Sequence, residues 1–186
     1  ISANQTICTG STPAQLTGVA PTGGATPYSY QWQNSPNNVT FTNISGATGL
    51  NYQPGALVAT TYYRQIQSGG CGGPLTTNVV TVTVNALPNP TISGPNSVCA
   101  GAAGNVYTTQ AGMTNYIWTV SGGTITGGGT STSNTVTVTW NTPGVQSVSV
   151  NYSNGCGAVA PTVFNVTVNP APVPTIGSTN YPCIGS

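Results

Sequence analysis

The sequence predicts an all-β chain of tandem antiparallel β-sandwich units strung in a linear array, and three observations carry that prediction. Val alternates with Thr, Ser or Asn at a period of two over 81–84, 135–140, 148–150 and 165–168, the spacing that buries one face of a strand and wets the other. Helical periodicity is absent, and 25 glycines with 15 prolines break every window long enough for a helix. The third observation is internal repetition.

Three segments open alike: ISANQTICTG at 1–10, TISGPNSVCAG at 91–101 and TIGSTNYPCIG at 175–185. Their cysteines, Cys8, Cys99 and Cys183, stand 91 and 84 residues apart. Two segments close alike, NVVTVTVN at 78–85 and FNVTVNP at 164–170. Each is preceded by a glycine-flanked cysteine, Cys71 in SGGCGG and Cys156 in SNGCGA. The chain therefore reads as one repeat over 1–86, a second over 87–170, and a linker with the truncated start of a third over 171–186. The joints ALPNP (86–90) and PAPVP (170–174) are proline-rich, which favours extended polyproline geometry and a stiff spacer.

In the first repeat, strands are expected at 15–19, 28–33, 39–43, 60–67 and 78–84. In the second they are expected at 105–109, 116–120, 123–126, 135–140, 146–152 and 162–168. Each is a short run rich in β-branched or aromatic residues, bounded by turn-forming ones. Trp32 and Trp118 fall mid-strand, roughly 20 residues after an opening cysteine. With Trp140 they are the expected core anchors, because a sandwich of this size needs large aromatics between its sheets. Val120, Ile125, Val136, Val138, Val148, Val150 and Val166 complete the expected second core. That core is small, so a disulfide matters to it.

Charge is almost missing. Arg64 is the single Lys or Arg, and there is no Asp, Glu or His, where a globular protein carries roughly 25% charged residues. General acid–base catalysis, carboxylate or imidazole metal ligation and a Ser-His-Asp triad all require absent side chains. The expectation is therefore no enzyme, no cofactor and no metal. Nucleic acid is excluded as a partner because phosphate affinity needs clustered cations. No apolar stretch approaches the length needed to cross a bilayer, so no membrane insertion is expected in this segment. There is no signal-peptide pattern, and the chain reads as a mature or excised soluble segment. A neutral surface invites precipitation. With 19 Asn and 9 Gln, a second reading is that many amide letters stand for the isosteric acids.

Five cysteines leave one over. Pairing Cys8 with Cys71 and Cys99 with Cys156 encloses similar spans of 63 and 57 residues, and Cys183 then awaits a partner beyond the segment. Each bridge would stabilise its unit by roughly 2–4 kcal/mol and implies an oxidising, extracellular location. Zinc is the weaker reading, since no CxxC pair and no His is present.

The stretch YSYQWQNSPNNVTFTNISGATGLNYQP (28–54), followed by TTYYRQIQSGGCGG (60–73), resembles the Ig-like repeats of very large Bacteroidetes surface proteins. NYIWTVSGG (115–123) and TWNTPGVQSVSVNYSNGCG (139–157) are similar to the PKD-like repeats of the same proteins. The resemblance implies Ig-like and PKD-like sandwiches repeated along gliding-motility adhesins and cell-surface filaments that leave the cell by the type IX secretion route. Where such repeats commonly carry Asp, this chain has Asn37, Asn38 and Asn43, which puts any carboxylate calcium site in doubt.

The remaining candidates are weaker. Gly127, Gly128 and Gly129 lack the GK[ST] that a phosphate cradle needs. Asn4, Asn38, Asn43, Asn151 and Asn165 begin N-x-[ST] triplets, which arise by chance in a Thr-rich chain. Tyr28 and Tyr63, with Tyr30, Tyr62 and Tyr116, offer glycan-stacking rings, against the commoner role of a tyrosine half in the core and half hydrogen-bonded. Arg64 is expected to close a local hydrogen-bond network or flank the core rather than to recognise a ligand, because one guanidinium without neighbours makes a poor anion site. The function expected is a non-catalytic structural segment of a long extracellular adhesin, stalk or filament at the cell surface. Its partners are then neighbouring repeats, surface glycans or other copies of the filament. The alternative is a carbohydrate-binding accessory module of a secreted multidomain protein.

Overall fold

A computed structural model of the chain describes residues 1–22, 26–69, 73–157 and 160–174. It divides into two units, Ile1–Leu87 and Pro88–Ser186. Among the described residues every regular element is a strand.

Unit 1 contains β1 (Gln5–Cys8), β2 (Ser29–Ser35), β3 (Thr42–Asn43), β4 (Thr61–Ser68), β5 (Leu75–Thr76) and β6 (Val80–Asn85). They form one sheet in the order β1-β6-β4-β2-β3, with β5 beside β4. The facing layer is irregular chain, pinned by the antiparallel bridge Leu16↔Tyr52. Leu16, Trp32, Ala47, Tyr63, Val80 and Val82 fill the space between. The strand expected at 15–19 is reduced to that bridge. Gly18 explains why: a Cβ there would strike the Leu50 carbonyl oxygen, and its N–H goes to Asn51 Oδ1 at 3.1 Å. The close approach consumes the backbone group that a ladder would need.

The inner face of β4 alternates as expected, but two of its buried residues are amides. Gln65 is fully buried; its Nε2 donates to the carbonyls of Gly49 (3.2 Å) and Leu50 (3.0 Å), and its Oε1 accepts from Gln67 Nε2 at 2.8 Å. Gln67 Nε2 also donates to Val19 O. Gln31 reaches Trp32 O and Ile44 O, Gln53 reaches Pro13 O and Pro54 O, and Asn105 reaches Ala102 O and Val138 O. A carboxylate has no hydrogen to give. These five positions therefore need amides, which narrows the isosteric-acid reading to residues such as Asn37. Its Oδ1 only accepts, from Val39 N, Thr40 N and Ser35 Oγ.

Unit 2 contains β7 (Ser97–Cys99), β8 (Asn105–Thr108), β9 (Thr114–Ser121), β10 (Gly123–Gly128), β11 (Thr135–Trp140), β12 (Gly144–Ser153) and β13 (Thr162–Asn169). It is a two-sheet sandwich: β10-β11-β8 packs over β7-β13-β12-β9. The chain changes sheet between β9 and β10 at Gly122, whose φ of +77° suits glycine. In β11 the Thr-Val alternation puts Val136, Val138 and Trp140 inside. Trp118, Val148, Val150, Val166 and Val168 meet them from the other sheet. Ile125, expected in the core, is 41% exposed. It lies on the edge strand β10 beside a bulge between Ile125 and Gly127, with a neighbour on one side only.

Three short strands escaped the sequence reading: β5, two residues held antiparallel against β4, and the opening strands β1 and β7. QTIC and SVC are too short to show alternation. β1 and β7 become strands by pairing in parallel with the closing strands β6 and β13.

Candidate functional site

The expected core anchors are structural in position. Trp32 and Trp140 are fully buried and Trp118 nearly so. Each indole N–H is satisfied: Trp32 by Gly49 O, Trp118 by Ser133 O and Trp140 by the Tyr107 hydroxyl at 3.0 Å. Tyr107 meets Trp140 edge-on, its ring centroid 6.0 Å away, and its hydroxyl donates a hydrogen bond to Pro95 O. Burial raises the Tyr107 pKa, and the bond from Trp140 partly offsets that.

Tyr63 does not offer a stacking surface. It is 3% exposed, packed against Tyr52 with ring centroids 6.1 Å apart. Desolvation, helped by Tyr52, pushes its pKa up to about 12. Tyr116 is buried too, its hydroxyl donating to Gln110 O and accepting from Met113 N. Tyr28, Tyr30 and Tyr62 remain half-buried. The stacking strip is therefore broken, because period-two geometry sends Tyr63 inward and Tyr62 outward.

One expected cysteine pairing, Cys99 with Cys156, is not formed. Cys8 and Cys156 are disulfide-bonded, whereas Cys99 is a free, exposed thiol. A bridge from Cys99 to Cys156 is ruled out by register. Cys99 pairs with Asn169, one step beyond Val168 and its partner Gly144 at the start of β12. Cys156 follows the far end of that strand, about 30 Å away at the usual strand rise, where a bridge needs Cα atoms within about 7 Å. Cys71 and Cys183 lie outside the described residues.

Two features were not legible beforehand. Gln110 is the hub of a polar cluster: its Oε1 accepts from Thr91 N, Thr109 Oγ1 and the Tyr152 hydroxyl, and its Nε2 donates to Thr91 Oγ1. Beside it, Thr162 Oγ1 donates to Pro90 O at 2.6 Å. Together they fasten the entry of unit 2 onto its sandwich. Burial and the neighbouring Tyr116 raise the Tyr152 pKa, so its hydroxyl stays a donor.

The second feature surrounds Arg64. Its Nε donates to Gln33 Oε1 at 2.7 Å, Gln33 Nε2 donates to Asn43 Oδ1 at 2.8 Å, and the guanidinium carbon stands 4.0 Å from the centroid of the Phe41 ring. The amide chain runs across neighbouring strands β4, β2 and β3. Arg64 closes a network as expected, and Phe41 is the partner that spacing did not reveal. Among the described residues no group of three metal-ligating side chains comes together.

Comparison with known proteins adds family matches for both units. Residues 1–86 match a domain of unknown function, DUF8696. Residues 84–166 match the PKD-like domain. The chain matches no curated protein. It is similar to the D00-D0 domain of intimin at 14% identity, covering 90% of this chain and 96% of that one, with a TM-score of 0.44. It is also similar to the amphioxus IgVJ-C2 molecule (14%, 88% and 99%, TM-score 0.40) and to Clostridium thermocellum CbhA fibronectin(III)-like modules (13%, 90% and 90%, TM-score 0.35). The all-β architecture and the PKD-like match describe β-sandwich domains of a class that serves as structural or binding modules.

Proposed function

We propose that this chain is a non-catalytic structural segment of a long extracellular stalk, filament or adhesin, whose work is to carry tension. The observation that supports this most is the pairing of first and last strands. In unit 1, β1 lies parallel to β6, Gln5 to Cys8 against Val82 to Asn85. In unit 2, β7 lies parallel to β13, Ser97 to Cys99 against Thr167 to Asn169. Tension entering before the first strand and leaving after the last pulls such a pair in opposite directions along its length. The ladder bonds are then sheared together rather than peeled one at a time.

The disulfide-bonded Cys8 and Cys156 support an oxidising, extracellular setting. The proline-rich joints support a semi-rigid array whose partners are neighbouring repeats. The finer assignment, a Bacteroidetes gliding-motility adhesin type exported by the type IX route, rests on the sequence resemblance. The encoding gene and its neighbours test it.

Single-molecule force spectroscopy tests the mechanical reading. Handles at the chain ends shear the β7–β13 pair; handles at Cys99 and at a cysteine replacing Asn169 peel it. Unit 2 is expected to resist the first geometry at distinctly higher force. Equal forces in both would defeat the proposal.

A further inference from the structure

We propose that the outer face of unit 1 around Arg64 binds the carboxylate of an acidic polysaccharide, a uronate-type sugar. This stands apart from the tension-carrying role and does not depend on it.

Arg64 is held from two directions, by Gln33 through Nε and by the Phe41 ring beneath its plane. Those contacts fix the side chain and leave the two terminal nitrogens with no partner among the described residues. Two parallel N–H donors match the two oxygens of a carboxylate. The chain has no Asp or Glu in 186 residues, so no side chain of its own can neutralise this cation. A fixed guanidinium without an internal counter-ion is a site that an outside carboxylate completes.

The surroundings select the class of ligand. Strand alternation puts Tyr62 beside Arg64 on the outer face of β4, and Gln31 and Gln33 on the same face of β2, with Asn43 opposite Gln33. Amides and a phenol supply donors and acceptors for sugar hydroxyls, and an aromatic ring supplies a platform. The single cation argues against nucleic acid or a highly sulfated polymer, which needs several.

The test is NMR of the whole 186-residue chain, following the Arg64 Nε–H resonance and backbone amides during titration. The probes are trigalacturonate, the same trimer as its methyl ester, and an acidic hexapeptide of equal charge. Trigalacturonate is expected to shift Arg64, Gln33 and Asn43, with the ester at least tenfold weaker and the peptide weaker still. Arg64→Lys, which keeps the charge but loses the fork, should weaken binding by about tenfold; Phe41→Leu, which frees the side chain, should weaken it less. The wild-type resonances carry the result even where a variant is poorly folded. An ester that binds as well as the acid overturns the carboxylate site, an equally bound peptide overturns the sugar, and no shift with any probe overturns both.

Discussion

Replacing Gln65 by Glu changes one atom in the middle of unit 1 and converts two hydrogen-bond donors into acceptors. The native Nε2 faces the Gly49 and Leu50 carbonyls at 3.2 and 3.0 Å in a fully buried site. An ionised Glu there would set negative oxygen against both carbonyls, so the variant folds with the carboxyl protonated. Holding a proton at pH 7 against an ordinary Glu pKa of about 4.3 costs about 4 kcal/mol. The protonated form donates once, so one carbonyl loses its partner at about 1 kcal/mol more. The total, about 5 kcal/mol, is as large as the whole stability of many domains. The folded pKa is raised above the unfolded one. The variant's stability is therefore fullest below about pH 4 and falls as the pH rises toward neutrality. Urea denaturation at pH 4 and pH 7 checks this, with a deficit of about 1–2 kcal/mol at the lower pH. A loss under 1 kcal/mol at pH 7, or the same loss at both, would refute the donor geometry assigned to this amide.

Asn37→Asp should do the opposite, because that oxygen only accepts and the residue is exposed. The same denaturation is expected to show no loss and a gain below about 1 kcal/mol. Tyr63 ionises in the unfolded chain near pH 10 and in the folded one at about 12. Its stabilisation is therefore complete below pH 10 and lost on the way to pH 12, by on the order of 1–2 kcal/mol after solvent screening at the ring edge. Thermal melts across that range follow the decline, and a flat profile counts against the burial of this ring. Tyr107→Phe removes the acceptor of the Trp140 indole N–H and should cost about 1–3 kcal/mol by denaturant titration. Maleimide added without reductant should label the peptide carrying Cys99 and leave those carrying Cys8 and Cys156 unlabelled until reduction; a protected Cys99 contradicts the free thiol.

The strands, their alternation and the tryptophan anchors were legible because burial in a sheet repeats every two residues and turn-formers mark the ends. β11 shows this directly: TVTVTW predicts which side chains face inward, and Val136, Val138 and Trp140 do. The absence of acids and histidine likewise follows from composition alone. Register, however, is a property of paired strands and not of spacing. Cys99 and Cys156 invited pairing by their intervals, yet their strands place them at opposite ends of one sheet. The same tertiary choice turned Tyr63 inward, seated Phe41 under Arg64 and drew QTIC and SVC into parallel ladders. Those contacts join residues far apart along the chain, and only folding decides which of them meet.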